Sequence, residues 1–350
     1  MLIVMKSQAS EEEVQAVIDK IESVGAEAHP SRGAELTLIG AIGDSDTEVR
    51  VGQLELEGFE GVARVVPILK PYKLASLEGR HGEPSVFEIG GARVGGDNFA
   101  LIAGPCTVES REQLMATADT VQQGGASMLR GGAYKPRTSP YAFQGLGGEG
   151  LRLLAEAKEE TGMPIVTELM DLRDLDPVLE VADVIQVGAR NMQNYNLLTE
   201  IGKSGRATLL KRGLSSTLEE LLMAAEYILK EGNKEVMLCE RGIRTFETAY
   251  RFTLDLSAIP VLKEMTHLPV IVDPSHAAGR RALVPSLSYA AAAAGADGVI
   301  VEVHPEPEEA VCDGPQALRA GDFAAYAQTL NRAAQLAGKR SFLPEEAPAA

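Results

Sequence analysis

The strongest constraint on the fold is an alternation that begins near residue 86 and continues almost to residue 338. Short apolar runs at 99–103, 128–129, 164–167, 184–187, 208–210, 235–238, 270–272 and 298–301 read as strands. Between them lie segments of helical periodicity, such as 111–121, 218–229 and 282–294. Eight β-α units over about 240 residues match the length of a (β/α)8 TIM barrel. A doubly wound open sheet is the competing architecture, and the count of eight disfavours it. Two further runs, 86–89 and 92–94, flank Gly90 and Gly91 and predict a small hairpin ahead of the barrel.

The first seventy residues follow a different order. A strand at 2–5 precedes Ser10, which caps a helical pattern with Glu13 three residues on and Val14, Val17, Ile18 and Ile21 at helical spacing. Apolar or alternating runs at 26–29 and 34–39, a short helix at 47–56 and a strand at 63–68 complete a β-α-β-β-α-β arrangement, the ferredoxin-like unit. The expected organisation is therefore an α/β chain: a ferredoxin-like domain at 1–70, a linker at 71–85, a barrel with its hairpin at 86–338 and a flexible tail at 339–350. The net charge of -17 argues against nucleic acid or an anionic membrane as partner. Three cysteines point to a reducing compartment without a disulfide framework. The start lacks a signal peptide's layout, and the apolar segment 290–303 is broken by Gly295, Asp297 and Glu302, so a cytoplasmic location is expected.

In so acidic a chain, clustered cations carry information. The loop after the second barrel run places Arg130, Lys135 and Arg137 beside Thr138 and Ser139, with glycines and prolines that let the backbone approach a ligand. That combination suits a phosphate or carboxylate. Every other run also ends on a reactive group. Taking the polar residue just past each gives Cys106, Arg130, Glu168, Arg190, Lys211, Arg241, His276 and Glu302, on average about 28 residues apart. In a barrel these positions converge on the face that carries the chemistry. Cys106, His276, Glu302 and Asp313 supply one thiolate, one imidazole and two carboxylates, a set fit for a divalent Mn, Fe, Co or Zn ion. His304 ranks behind them as a ligand. The cations demand a ligand of several negative charges, or two small anions, beside the metal.

These motifs resemble those of the 3-deoxy-D-arabino-heptulosonate 7-phosphate (DAHP) synthases: Gly104-Pro-Cys, Arg130-Gly-Gly-Ala-Tyr-Lys-Pro-Arg-Thr-Ser, Gln186-Val-Gly-Ala-Arg, Leu210-Lys-Arg-Gly, Cys239-Glu-Arg-Gly and Asp273-Pro-Ser-His. The chain is most similar to the type I beta subgroup, in which a ferredoxin-like regulatory domain precedes the barrel. The resemblance implies condensation of phosphoenolpyruvate with erythrose 4-phosphate, the first step of the shikimate pathway to aromatic amino acids. It assigns phosphoenolpyruvate to Arg130, Lys135, Ala189, Arg190, Lys211 and Arg241, and erythrose 4-phosphate to Pro136, Arg137, Thr138, Ser139 and Asp273. Lys135, Glu168 and His276 are the candidates for proton transfer. One divalent metal and no organic cofactor are expected, in a homotetramer.

The resemblance also implies that tyrosine or phenylalanine binds at a loop containing His29 and Ser31 and inhibits the barrel. Cys312 stands where the family often has serine, and a Cys106–Cys312 disulfide on oxidation would expel the metal. Two other functions compete. One is a sister synthase of the 3-deoxy-octulosonate 8-phosphate kind, which Lys135-Pro-Arg-Thr-Ser disfavours because that family carries Lys-Ala-Asn-Arg-Ser there. The other is a non-catalytic aromatic-amino-acid sensor on a barrel scaffold, which the full set of ligands and cations disfavours.

Overall fold

Ser10 starts the first helix as its sequence requires. Its hydroxyl accepts from the Glu13 N–H at 3.2 Å, while the Glu13 carboxylate accepts from the Ser10 N–H at 2.6 Å. That reciprocal cap opens the helix Glu11–Glu22, which buries Val14, Val17 and Ile21. The computed structural model describes residues 1–33, 36–43, 45–66, 71–136 and 139–343, side chains excepted at 45, 46, 48 and 49. Its two units are Met1–Pro71 and Tyr72–Ala350.

In the first unit, strands β1 (Leu2–Met5), β2 (Glu27–Arg32), β3 (Thr37–Ile42) and β4 (Val62–Val66) form one antiparallel sheet in the order β2-β3-β1-β4. With the helices Glu11–Glu22 and Ser45–Gly52 this is the ferredoxin-like arrangement. The second helix is shorter than expected, and Leu56 belongs instead to a separate 3-10 turn, Leu56–Gly58. Ile3, Met5, Ile39 and Val62 pack against the first helix in a core of their own.

The second unit opens with the hairpin β5 (Phe87–Ile89) and β6 (Ala92–Val94). Gly90 and Gly91, at φ 53° and 86°, supply the left-handed turn that a two-residue connection needs. Eight parallel strands follow: β7 (Ala100–Gly104), β8 (Met128–Arg130), β9 (Ile165–Leu169), β10 (Val184–Val187), β11 (Ala207–Lys211), β12 (Val236–Glu240), β13 (Val270–Val272) and β14 (Gly298–His304). Pairing of β14 with both β7 and β13 closes the barrel, and a two-residue strand β15 (Leu318–Arg319) adds to the far end of β14. Among the described residues no helix is long and apolar enough to cross a membrane.

Side chains alternate along a strand, so one parity of each strand faces the barrel axis. The lower axial layers are apolar: Ala100, Ile102, Met128, Val166, Val184, Leu209, Met237, Cys239, Ile271 and Ile300 form one buried cluster. Phe87, Ile89 and Val94 of the hairpin join it and close the amino-terminal end of the lumen. Two residues further along, the same parity yields Gly104 on β7 and, on the other seven strands, Arg130, Glu168, Gln186, Lys211, Arg241, Asp273 and Glu302. The lumen thus passes from hydrocarbon to ionised groups within one pleat.

Three expectations change here. First, Arg130, Glu168, Lys211 and Glu302 lie inside strands rather than beyond them. A charged side chain at the top of a barrel strand keeps its backbone in the ladder and reaches the open mouth, so polarity marks that end only approximately. Second, residues 71–85 are not a loose linker. Tyr72 and Ala75 are buried in the shell between strands and helices. The Glu226 carboxylate accepts from the backbone N–H groups of Lys73, Leu74 and Ala75 at 3.0, 2.8 and 2.8 Å. Third, the start of the expected tail is anchored. Lys339 Nζ lies 2.6 Å from buried Asp297, Arg340 pairs with Asp97, and Phe342 stacks on Phe99 with centroids 5.5 Å apart. Residues 344–350 lie outside the described residues.

Candidate active site

The upper parity positions and the loops after them enclose a cavity of about 350 Å³ at the carboxyl ends of the strands. Arg130, Lys135, Arg190, Lys211, Arg241 and Arg251 line it, against the carboxylates of Glu168 and Asp313. Arg130, Lys135, Lys211 and Arg241 are buried although charged, and Arg190 is exposed at the rim. Arg130 pairs with Glu302 at 3.3 Å and Lys211 with Asp273 at 2.6 Å, whereas Lys135 and Arg241 form no ion pair among the described residues and are left for an anion to neutralise. Arg130 Nη1 lies 3.3 Å from Glu302 Oε1 as an ion pair, while Arg130 Nε and Arg241 Nη1 are buried without a hydrogen-bond acceptor among the described residues, so two donors already stripped of water remain for an anion. Arg241 lies over the Phe252 ring at 4.7 Å, with Arg251 on the same ring at 5.7 Å.

Backbone detail lets these groups approach. Gly104 adopts φ 154°, and a Cβ there would meet the Arg130 carbonyl oxygen at 2.0 Å. A Cβ on Gly188 would stand 2.1 Å from Glu168 Oε1. Glycine at both places lets the backbone pass close to a neighbouring charged residue without collision. Arg130 Nη2 and Lys135 Nζ both donate to the Cys106 carbonyl, at 3.2 and 3.0 Å, which ties the cation loop to the thiol's own backbone.

Cys106, His276, Glu302 and Asp313 come to one corner of this mouth. Their donor atoms form two overlapping groups within 4.8 Å: Cys106, Cys312 and Asp313, and His276, Glu302 and Asp313. Asp313 belongs to both. The Asp273 carboxylate accepts a hydrogen bond from His276 Nδ1–H at 2.7 Å, which leaves the Nε2 lone pair turned towards Glu302 Oε1 at 3.3 Å and Asp313 Oδ2 at 4.0 Å. Three electron-rich atoms facing one another call for a cation between them. Glu302 Oε1 is buried without a hydrogen-bond donor among the described residues, with the Arg130 guanidinium 3.3 Å away as its ion-pair partner, while its Oε2 accepts from Gln316 at 2.7 Å. The donor set therefore fits a metal ion.

Protonation follows the same geometry. A hydrogen bond with Cys312, then burial, pushes the Cys106 thiol well above its ordinary range. Burial would raise Glu302 too, but His276 and Arg130 outweigh it and hold the carboxyl below its usual value. Asp273 is fully buried, yet His276 and Lys211 keep it well below the carboxylate range. Burial dominates at His276 and lowers it, favouring the neutral ring that a metal needs. At Lys135 burial works against the charge, and the neighbouring Cys106, Glu168 and Glu302 more than restore it.

Other candidates fall in different places. Pro136, Ser139 and Ala189 line the cavity, whereas Arg137 and Thr138 lie outside the described residues. Asp273 is set behind the cavity wall: its oxygens accept from the His276 N–H and ring and from Lys211 at 2.6 Å, so it orients those two groups. His304 is engaged with Glu109 at 3.4 Å and accepts from the Glu306 N–H at 3.1 Å, which braces the loop towards Asp313. His29 and Ser31 sit in the edge strand β2 rather than a loop, with His29 3.2 Å from Glu27. An edge strand tolerates Pro30 and a polar run because one side of it needs no partner.

Reading only the residue past each strand missed Gln186, Arg251, Phe252 and Gln316. Strand parity points to Gln186, which donates to Glu168 at 3.2 Å. The long connection after β12 carries Arg251 and Phe252, far from any strand end.

Such a mouth defines a class: a barrel enzyme for small, highly anionic substrates, with a donor set able to hold a metal ion. Residues 81–338 match the family described as the DAHP synthetase I family, and residues 1–70 match the DAHP synthase ferredoxin-like domain. The chain belongs to the DAHP synthase family. It is 50% identical to the phospho-2-dehydro-3-deoxyheptonate aldolase of Thermotoga maritima over 337 residues, 96% of this chain and 98% of the relative. The crystal structure of that aldolase superposes with a TM-score of 0.88 at 48% identity, covering 97% and 98% of the two chains. A truncated form of the Thermotoga maritima synthase covers 77% of this chain and 98% of its own with a TM-score of 0.72. The 2-dehydro-3-deoxyphosphooctonate aldolase of Geobacter sulfurreducens is 33% identical over 262 residues, 69% of this chain and 95% of that one.

Proposed function

We propose that this DAHP synthase condenses phosphoenolpyruvate with erythrose 4-phosphate and water, releasing DAHP and phosphate, through the following division of labour. The observation that carries the reading is the set of unsatisfied buried Arg130 and Arg241 donors facing the same cavity as the His276–Glu302–Asp313 corner. Arg130, Arg241, Lys211, Arg190 and the Ala189 N–H hold the phosphate and carboxylate of phosphoenolpyruvate. Pro136, Arg137, Thr138 and Ser139 receive the sugar phosphate.

Cys106, His276, Glu302 and Asp313 would hold a divalent Mn, Fe, Co or Zn ion, which supplies Lewis acidity towards the aldehyde oxygen. A carbon–carbon bond forms between the enol carbon and the aldehyde carbon. Water adds to the second carbon of the phosphoenolpyruvate unit, and phosphate leaves by C–O cleavage. The His276 ring proton is committed to Asp273, so Lys135 and Glu168 are the groups in the cavity wall that can move protons. The resemblance offered erythrose 4-phosphate to Asp273; its buried place instead supports holding Lys211 and His276 in position.

Phosphate release measured with both substrates and added divalent ion tests the activity. Turnover with erythrose 4-phosphate should exceed that with arabinose 5-phosphate, and the reverse order would favour the octulosonate reading. No release with any aldehyde would favour the sensor reading. Regulation follows the first unit: tyrosine or phenylalanine binding beside His29 and Ser31 on the edge of β2 inhibits a homotetramer. Deleting residues 1–71 should leave activity and remove inhibition, and a truncated chain still inhibited would overturn this assignment. Light scattering checks the tetramer. Three cysteines with no disulfide support a cytoplasmic location.

A further inference from the structure

We propose that Cys312 is a fifth donor to the metal ion, so that this chain offers two thiolates and selects thiophilic ions such as zinc, cadmium and cobalt over manganese. The inference rests on the metal site proposed above. Its first support is position. Cys312 lines the cavity, is buried, and holds its sulfur 3.5 Å from that of Cys106. Two thiolates on one zinc ion, each about 2.3 Å from it, stand about 3.3–4.0 Å apart at the angles of a five-donor shell, so little movement separates this pair from joint ligation.

The second support is the backbone. Neighbouring side chains on an extended chain point opposite ways, and only one could enter the site. Asp313 adopts a left-handed φ of 51°, a conformation rare for residues other than glycine. That turn directs both Cys312 and Asp313 to the cavity. A residue serving only as small packing would not need it.

The third support is how Asp313 is shared. Its Oδ1 faces Arg251 at 3.7 Å, while Oδ2 lies 3.5 Å from Cys106 and 4.0 Å from His276. With one oxygen turned to a cation, Asp313 supplies a single ligand atom, which leaves room in a five-donor shell for the second sulfur. Adding a second thiolate to a shell of one sulfur, one nitrogen and two oxygens favours softer ions.

The test uses the full chain under reductant, loaded with cobalt(II), and reads the near-ultraviolet thiolate-to-cobalt absorption per bound ion. Cys312→Ser should lower that band to about half, as expected when one of two sulfur ligands is lost. Its cadmium dissociation constant should rise about tenfold or more relative to that for manganese, the scale on which ligand-sphere changes act. An unchanged band with an unchanged cadmium-to-manganese ratio would overturn the proposal. If the band is lost only in Cys106→Ser, the metal centre stands and Cys312 is excluded from it. If the wild type has no thiolate band at all, the metal-centre reading falls as well. Should the variant fail to fold, X-ray absorption of the wild-type zinc form counts the sulfurs directly: two are expected, and one would refute the idea.

Discussion

The two ends of the barrel lumen are built on the same strands, two residues apart, and could hardly differ more. At the lower end Ile102, Met237, Ile271 and Ile300 fill the axis and the Phe87–Ile89 strand seals it. At the upper end Arg130, Lys211 and Asp273 crowd together, with buried donors left over. Hydrocarbon at the bottom supplies burial energy, and its value does not depend on direction. Charges at the top are costly to bury and are tolerated because each is paired or awaits a ligand. Stability and chemistry are thereby separated along one axis, and each can be disturbed without the other.

The largest effect should come from the upper end. Cys106→Ala should lower turnover about a thousandfold or more, since a bound Lewis acid contributes several kcal/mol to catalysis. Bound metal after dialysis should fall in parallel. Unchanged turnover with metal retained would remove Cys106 from the ligand set. Lys135→Met should cost about 10²–10³ in kcat, the range for loss of one preorganised electrostatic group. Thermal melting should show the variant folded.

The lower end should respond in the opposite sense. Ile300→Ala should cost about 2–5 kcal/mol of stability in urea unfolding, as for other truncations in a closed core. Its turnover per folded molecule should match the parent enzyme. If turnover collapsed while stability held, the separation of the two ends would be wrong.

Smaller effects sharpen the picture outside the lumen. Glu226→Ala strands the Lys73, Leu74 and Ala75 N–H groups, and unfolding should register a loss of about 1–3 kcal/mol. Peroxide treatment of the metal-free chain should join Cys106 to Cys312, two thiols losing two hydrogens as peroxide is reduced to water. Both thiols remaining titratable afterwards would argue against that disulfide.

Much of this was legible from residue order. Each of the eight apolar runs became a barrel strand, and Ser10 with Glu13 made the reciprocal cap that their spacing requires. The groups at strand ends were legible because a barrel makes every strand finish at the same mouth. Asp273 and Gln186 were harder to place. Whether a polar residue lines a cavity or stands behind its wall depends on strand parity and tilt, and both are set by closure of the sheet. Arg251 and Gln316 gave no local signal, for they matter through Asp313 and Glu302, partners that only the folded barrel brings to them.

What the amino-acid order determined by itself was periodicity: where strands and helices form, which face of each is apolar, and that cations cluster in an acidic chain. These follow from local backbone geometry and from the transfer of hydrocarbon out of water, both of which operate over a few residues. Tertiary structure alone decided which charged groups are paired and which are left waiting. It turned His276 Nε2 towards Glu302, and it placed two sulfurs 206 residues apart at 3.5 Å. Those outcomes depend on distances across the closed barrel, which no stretch of neighbouring residues encodes.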